Sequence, residues 1–547
     1  MSAPTRTRRI RSTCLLVAVV AVLAAACSSS SKPPATSAKS ETTTNPKATP
    51  PSGAWPYPNA DLANTRQAPG STISSTNVSQ LQQAWTFRIT SKSDAGVGTM
   101  TMSPVVVDGV VYIQDMQANV YALDLATGKL RWEHQFNTRV LGGPGPNGVA
   151  VADGLVYGDT NFAVFALSAA TGKTVWLDNN LLPGGHGIVG GGSGGGLYGA
   201  DGVFDIQPQV IAGRVYLASA IGSGQGGGIL LALDATTGKV IWKFSTMIGS
   251  DAAVRAVGAG GAWEPPLVGS DGSVTFGIGN PYQPPATAIA QPAPLLYADS
   301  AVNLDAATGK LRWYYQAVPN DFQDHDLQTS PIAASINGAP VVIAAGKMGY
   351  VYAINAQTGA LLWKTPVGVH NGHDNDGLLA LEHKLHLTAP VTVEPAALGG
   401  VLSNPAVADN TVYVSTVDEP ITYTKLSQYL GGAAPSHPPT GEIEALNLAT
   451  GAVEWDTKLP QMALGATTAS GDLVFSTLYG GELIALNRTT GAIVYRHQLP
   501  TTTNAPLDVF GNTVIVSAGS PLSGKLVSGN AEVTGGGNSQ VVAYTVP

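Results

Sequence analysis

Asp321, Asp324, His325 and Asp326 stand within six positions of one another just after Pro319, in the phrase PNDFQDHD. It is the densest acidic cluster in the chain and occurs once, as expected of a site grafted onto a scaffold. A second group, His370, His373, Asp374 and Asp376, lies in VHNGHDNDG. Imidazoles and carboxylates can hold a transition metal, although a solvated polar loop is the commoner meaning of such a run. The glycine-rich stretch at 184–199 has no Gly-Lys-Ser/Thr ending and no helix after it, which argues against a phosphate cradle and for a surface insertion. Cys14 and Cys27, the only cysteines, lie in or just after the N-terminal apolar run. The body therefore has no disulfide, no cysteine metal site and no C-x-x-C-H haem attachment. Formal charge is −8, and residues 1–26 carry four arginines and no acid. The remainder is thus more acidic still, which argues against nucleic acid as a partner.

The acidic loop hangs from NLDAATGKLRW, and that phrase recurs. Copies end at Trp132, Trp176, Trp242, Trp313, Trp363, Trp455 and Tyr495. In each, an alternating strand enters a Thr-Gly turn, where glycine takes the positive φ that a tight hairpin needs, and a second strand carries the aromatic. Such a unit cannot bury both faces alone. Spacings of about 40 to 90 residues between strand-built copies predict propeller blades with the aromatic docked between neighbours. AWTFRI at Ala84–Ile89 is an orphan strand near the start, and the last strand pair, around 513–517 and 540–546, lacks the Thr-Gly-Trp ending. The expectation is an all-β, eight-bladed propeller over 55–547 whose N-terminal strand closes the last blade, with seven blades as the alternative.

Ahead of the body, Arg6, Arg8, Arg9 and Arg11 precede an apolar run at 15–26, too short to span a bilayer and read as an export signal. LAAAC at 23–27 resembles a bacterial lipobox, which implies lipidation of Cys27; an ordinary secretory signal is the alternative. Residues 27–54, rich in Ser, Thr and Pro, are expected to form a disordered tether.

The repeated AxDxxTGKxxW phrase resembles the tryptophan-docking repeat of quinoprotein dehydrogenases, eight-bladed propellers that carry pyrroloquinoline quinone (PQQ). The same repeat also occurs in non-enzymatic lipoprotein propellers that scaffold outer-membrane assembly. Four segments carry the resemblance to the dehydrogenases. GGAWEPP resembles the segment whose tryptophan underlies the quinone, which implies Trp263. FGIGNPY resembles the Gly-Asn-Pro motif whose asparagine ligates the cofactor's calcium, implying Asn280. PNDFQDHD resembles the loop bearing the proposed base, implying Asp324, which also lies at the metal. AAGKMGYVYAIN resembles the segment whose cation bonds the quinone oxygens, implying Lys347. The chain departs from the family at Asn320 and Gln323, which replace a histidine and a tryptophan and loosen the packing expected around the base. No acid stands in ASAIGSGQGGG at 218–228, where the family has its calcium glutamate and this chain offers Ser223 or Gln225. The adjacent cysteines and nearby arginine of many members are also missing from 141–148, where Asn147 takes the arginine's place.

The resemblance implies a PQQ- and calcium-dependent dehydrogenase of alcohols or related hydroxyl substrates, lipid-anchored on the extracytoplasmic side. Its electrons would pass to a separate acceptor. The alternative is a non-catalytic propeller serving as a protein-binding or envelope-assembly scaffold; a carbohydrate-binding or hydrolytic propeller is a third reading.

Overall fold

The structure, a computed structural model, describes residues 40–89, 100–138, 148–182, 203–222, 228–246, 259–281, 283–429, 435–519 and 539–547. Eight antiparallel sheets of the repeated plan follow one another along the chain. Blades 1 to 7 span 105–134, 150–178, 209–245, 267–316, 332–366, 406–459 and 468–498. Blade 8 combines Leu507–Phe510, Thr513–Ala518 and Gln540–Thr545 with the early strand Gln82–Arg88, in register Trp85↔Ala543. The eight-bladed expectation and its closure by the N-terminal strand both hold. Joining the two ends of the chain in one sheet leaves the ring without a free seam.

The repeat phrase does two jobs at once. The Trp85 indole N–H donates to Leu125 O at 2.7 Å, and Trp132, Trp176, Trp242, Trp313, Trp363 and Trp455 donate in the same way to the next blade's carbonyls at 2.8–3.1 Å. Each ring lies on the turn glycine of the following blade. A Cβ on Gly128 would sit 2.5 Å from the Trp85 ring, and one on Gly451 would sit 2.6 Å from Trp363. The glycine thus takes a positive φ, 65° at Gly128, and clears the seat for a neighbour's tryptophan.

Residues 40–53 correct one expectation. Instead of belonging to a disordered tether, Glu41–Thr44 adds an outer strand to blade 8, pairing Glu41↔Arg88 and Thr44↔Trp85. Further along, the Ser52 N–H donates to Asn512 Oδ1 and Thr513 Oγ1. Composition misleads here because pairing to a sheet edge uses backbone groups, which every residue but proline brings in full.

Insertions from blades 4 to 6 build a cap beside the acidic loop. It contains short helices at Pro285–Ala290 and Asp376–Leu381 and a two-stranded sheet of Val391–Val393 with Ile421–Tyr423. Ala288, Ala380, Val393, Ile421, Tyr423 and Tyr429 pack around Phe322 of the loop, which is fully buried. Among the described residues no helix is long and apolar enough to cross a membrane.

Candidate active site

The loop PNDFQDHD leaves the last strand of blade 4, Leu311–Gln316, and folds around Asp321. One Asp321 oxygen accepts the Gln323 N–H at 2.9 Å, the other accepts those of Asp324 and His325 at 3.1 Å, and His325 Nδ1 lies 3.4 Å away. Asp321 is therefore the loop's internal brace. Asn320 is its outer anchor: the amide donates to Ala288 O and Gly377 O and accepts from Gln283 and the Ala293 N–H. The loosening expected from Asn320 in place of histidine is not found, because its amide reaches four partners in two segments of the cap. Gln323 is also buried, but its amide nitrogen has no partner.

This bracing holds Asp324 in a left-handed conformation, φ 68°, with its carboxylate toward Lys347. Such a backbone is costly for a residue other than glycine and persists only where its surroundings enforce it. Lys347 Nζ lies 3.0 Å from Asp324 Oδ2 and 2.6 Å from Asp326 Oδ2. Asp326 Oδ1 accepts the Asn280 N–H at 2.6 Å. A Cβ on Gly279 would lie 2.2 Å from Asp326 Oδ1 and 3.1 Å from Trp263 Nε1. The four residues singled out in sequence order, Trp263, Asn280, Asp324 and Lys347, thus converge around Asp326 from blades 3, 4 and 5. Backbones crowd to make this possible: a Cβ on Gly260 would lie 2.1 Å from Gly279 O, and one on Gly261 would lie 2.0 Å from Ala220 O. Trp263, half-buried, is backed by Val203, Ala220 and Phe162.

Burial pushes Asp324 up to about 7 against the pull of Lys347. The Lys347 ammonium, buried yet held between Asp324 and Asp326, is shifted upward and stays charged. Glu419, whose Oε2 accepts the Leu398 N–H at 2.8 Å, is raised by burial to about 7 in the field of the same lysine.

Two side chains in this corner have no partner among the described residues. Both polar atoms of the Asn280 amide, 1% exposed, and both oxygens of Asp299, 0% exposed, are unpaired there. Orphaned buried polar groups are rare and costly. Asp299, Asp321, Asp324 and Asp326 share one electrostatic neighbourhood with Lys347. Such an acid excess with free oxygens suits a hard cation, and the half-exposed face of Trp263 suits a planar ring. Sequence reasoning missed Asp299, which reads as part of an ordinary strand in LLYADSAV. The usable signal was its place in the repeat, six residues before the turn Asp305, where four other copies have Gly228, Gly349, Gly441 and Gly481.

The histidine group does not form one centre. His370 Nδ1 pairs with Asp374 at 2.6 Å while its Nε2 meets Gly349 O and Val367 O, and His373 pairs separately with Asp376 at 2.8 Å. These pairs brace the start of the cap. Cys27, Asn147, Ser223, Gln225 and the glycine-rich stretch lie outside the described residues.

Comparison with known proteins decides the family. The model for the glucose/ethanol/alcohol dehydrogenase β-propeller domain of PQQ enzymes matches residues 55–175 and 203–369, more than half of the chain. The chain belongs to this family. A model for the outer membrane protein assembly factor BamB matches residues 439–543. The quinohemoprotein alcohol dehydrogenase of Comamonas testosteroni is 29% identical over 362 residues, 59% of this chain and 48% of that protein. The quinoprotein alcohol dehydrogenase PedH of Pseudomonas putida is 24% identical over 476 residues, 75% of this chain and 76% of that one. The match to the first of these spans about half of that relative's length. In fold, the quinohemoprotein alcohol dehydrogenase ADHIIG of Pseudomonas putida superposes with a TM-score of 0.74, covering 90% of this chain and 80% of that one at 23% identity.

Proposed function

We propose that this chain is a PQQ-dependent dehydrogenase oxidising an alcohol or a related hydroxyl substrate. The observation that carries the reading is the convergence of Asp324, Lys347, Asn280 and Trp263 on one corner lined by unpaired polar atoms. The quinone with its calcium ion, when bound, would supply the carbonyl that accepts a hydride. Trp263 would carry the ring on its indole face, and Asn280 and Asp324 would offer oxygens to the ion. Asp324 would receive the substrate's hydroxyl proton, its charge held in place by Lys347. Lys347 would also stabilise negative charge developing next to it. A separate acceptor would take the electrons. Residues 1–26 would direct export and the Cys27 thiol would carry the lipid that holds the body, 55–547, at the extracytoplasmic face.

The test is a titration of the purified protein with PQQ and calcium, following tryptophan fluorescence in wild type and Trp263→Ala, then alcohol oxidation with an artificial electron acceptor. Saturable, calcium-dependent quenching that is lost in the variant, with turnover, supports the reading. Absence of binding at high micromolar cofactor would sink it. The second reading, a non-catalytic envelope scaffold, draws on the BamB match at 439–543; it predicts no cofactor binding and a stable protein partner instead.

A further inference from the structure

Among the described residues, Asp299 is the buried carboxylate with both oxygens unpaired. The side chain is fully buried and neither oxygen meets a donor among those residues. A buried carboxylate without a partner is costly enough that it must either keep a proton or meet a cation from outside, and a kept proton would itself need an acceptor. Its backbone adds to the cost. At the equivalent point of other repeats, six residues before the turn residue, Gly228, Gly349 and Gly481 take φ of 68°, 69° and 86°, and Ala118 takes 63°. Five of the seven copies, Asp299 among them, take a left-handed residue here, whereas Phe162 and Gly441 at the same point do not. Asp299, at φ 49°, adopts that conformation with an acidic side chain where glycine would be unstrained.

Its position is as specific as its chemistry. The Asp299 N–H donates to Gly279 O at 3.0 Å, so Asp299 faces the residue against which Asp326 packs and is one step from Asn280. Asn280 is the second fully buried side chain in this corner with every polar atom unpaired. Two adjacent strand ends thus bring an unpaired carboxylate and an unpaired amide to one acidic corner. Lys347, the neighbouring cation, is already shared by Asp324 and Asp326.

We propose that Asp299 is a carboxylate ligand of this chain's metal site, beside the amide oxygen of Asn280, and that it supplies the charge that the family's glutamate supplies from the segment 218–228, where this chain has no acid. The inference rests on the quinoprotein reading above. It accounts for the missing family acid by moving its charge from a blade 3 segment to the start of blade 4's third strand.

The experiment measures metal binding, not turnover. The full chain, with PQQ present, is titrated with Ca²⁺ by calorimetry and with Tb³⁺ by tryptophan-sensitised luminescence, in wild type, Asp299→Asn, Asp299→Ser and Glu444→Gln. Affinity follows ligand charge, so both Asp299 variants are expected to bind on the order of 100-fold more weakly, while Glu444→Gln binds like wild type. Melting adds a readout that a purely structural role would not move: without metal, Asp299→Asn melts at or above wild type, and the added metal raises wild type only. Two variants guard against one that fails to fold. Binding by Asp299→Asn within twofold of wild type, with binding lost in Asn280→Ala, overturns the ligand role and leaves the quinoprotein reading standing. Failure of wild type to bind either ion with or without PQQ overturns both.

Discussion

Two of the buried polar centres among the described residues are finished to different degrees. Around Arg66 all the hydrogen-bonding capacity of the guanidinium is used. It donates to Thr467 O, Asn59, Ser103, Thr468 and Leu507 O, and stacks 5.3 Å from the Trp55 centroid. These partners lie on or beside blades 7, 8 and 1 and on the N-terminal segment, so one side chain ties both ends of the chain to the ring. Burial lowers it only to about 10, with Asp508 and Glu264 supporting the charge. In the opposite case, the side-chain polar atoms of Asp299 and Asn280 are equally buried and find no partner among the described residues. A satisfied buried charge is a structural clasp, whereas an unsatisfied one of the same depth marks a place built for something from outside.

That contrast breaks most easily at the clasp. Arg66→Ala leaves several buried acceptors and two carboxylates without a cation, and should lower unfolding free energy by about 3–5 kcal/mol, read from urea denaturation. A loss below about 1 kcal/mol would mean that the clasp is not structural. On the other side, Lys347→Met should leave the fold intact by circular dichroism and lower kcat in the acceptor assay by about 10²–10³. A variant that unfolds, or one that keeps full activity, would erase the distinction between the two centres. A smaller effect calibrates the scaffold: Gly451→Ala forces a Cβ into Trp363 at a φ of 73° and should cost about 1–3 kcal/mol with cofactor binding unchanged.

The smallest prediction concerns pH at a third acidic group. Glu442, Glu444 and Asp456 bring their oxygens within 4.8 Å of one another, with Lys458 paired to Glu442 and Asp456 and with Asp418 nearby. Burial raises Glu444 to about 8, Asp456 and Glu442 adding to the rise. The folded chain therefore keeps a proton that the unfolded chain loses near the ordinary value of 4.5, and stability falls as pH rises from about 4.5 to 8. Glu444→Gln should remove part of that slope, so its melting temperature gains on wild type between pH 5 and pH 8. Parallel curves would assign the slope elsewhere.

The propeller was legible in the sequence because its signal is local. A Thr-Gly turn followed by an aromatic needs about a dozen residues to declare itself, and seven copies declare it, six with tryptophan and one with Tyr495. Trp263, Asn280, Asp324 and Lys347 were legible for the related reason that each sits in a short phrase with an unusual neighbour. Residues 40–53 were not, because composition reports side chains and their strand is made by backbone. Arg66 and Asp299 were not either. One partner of Arg66 is 441 residues away, and Asp299 is a lone acid in a strand until the blades are assembled.

The sequence by itself determined the blade and the phrases on which the proposed site rests, since turn conformation and strand alternation are decided by neighbours in the chain; the choice of eight blades over seven came with the closing strand of the structure. The tertiary structure alone decided which polar groups find partners. Closing the ring gave Arg66 its acceptors and left Asp299 and Asn280 without donors, because satisfaction of a buried charge depends on groups hundreds of residues apart reaching hydrogen-bonding distance.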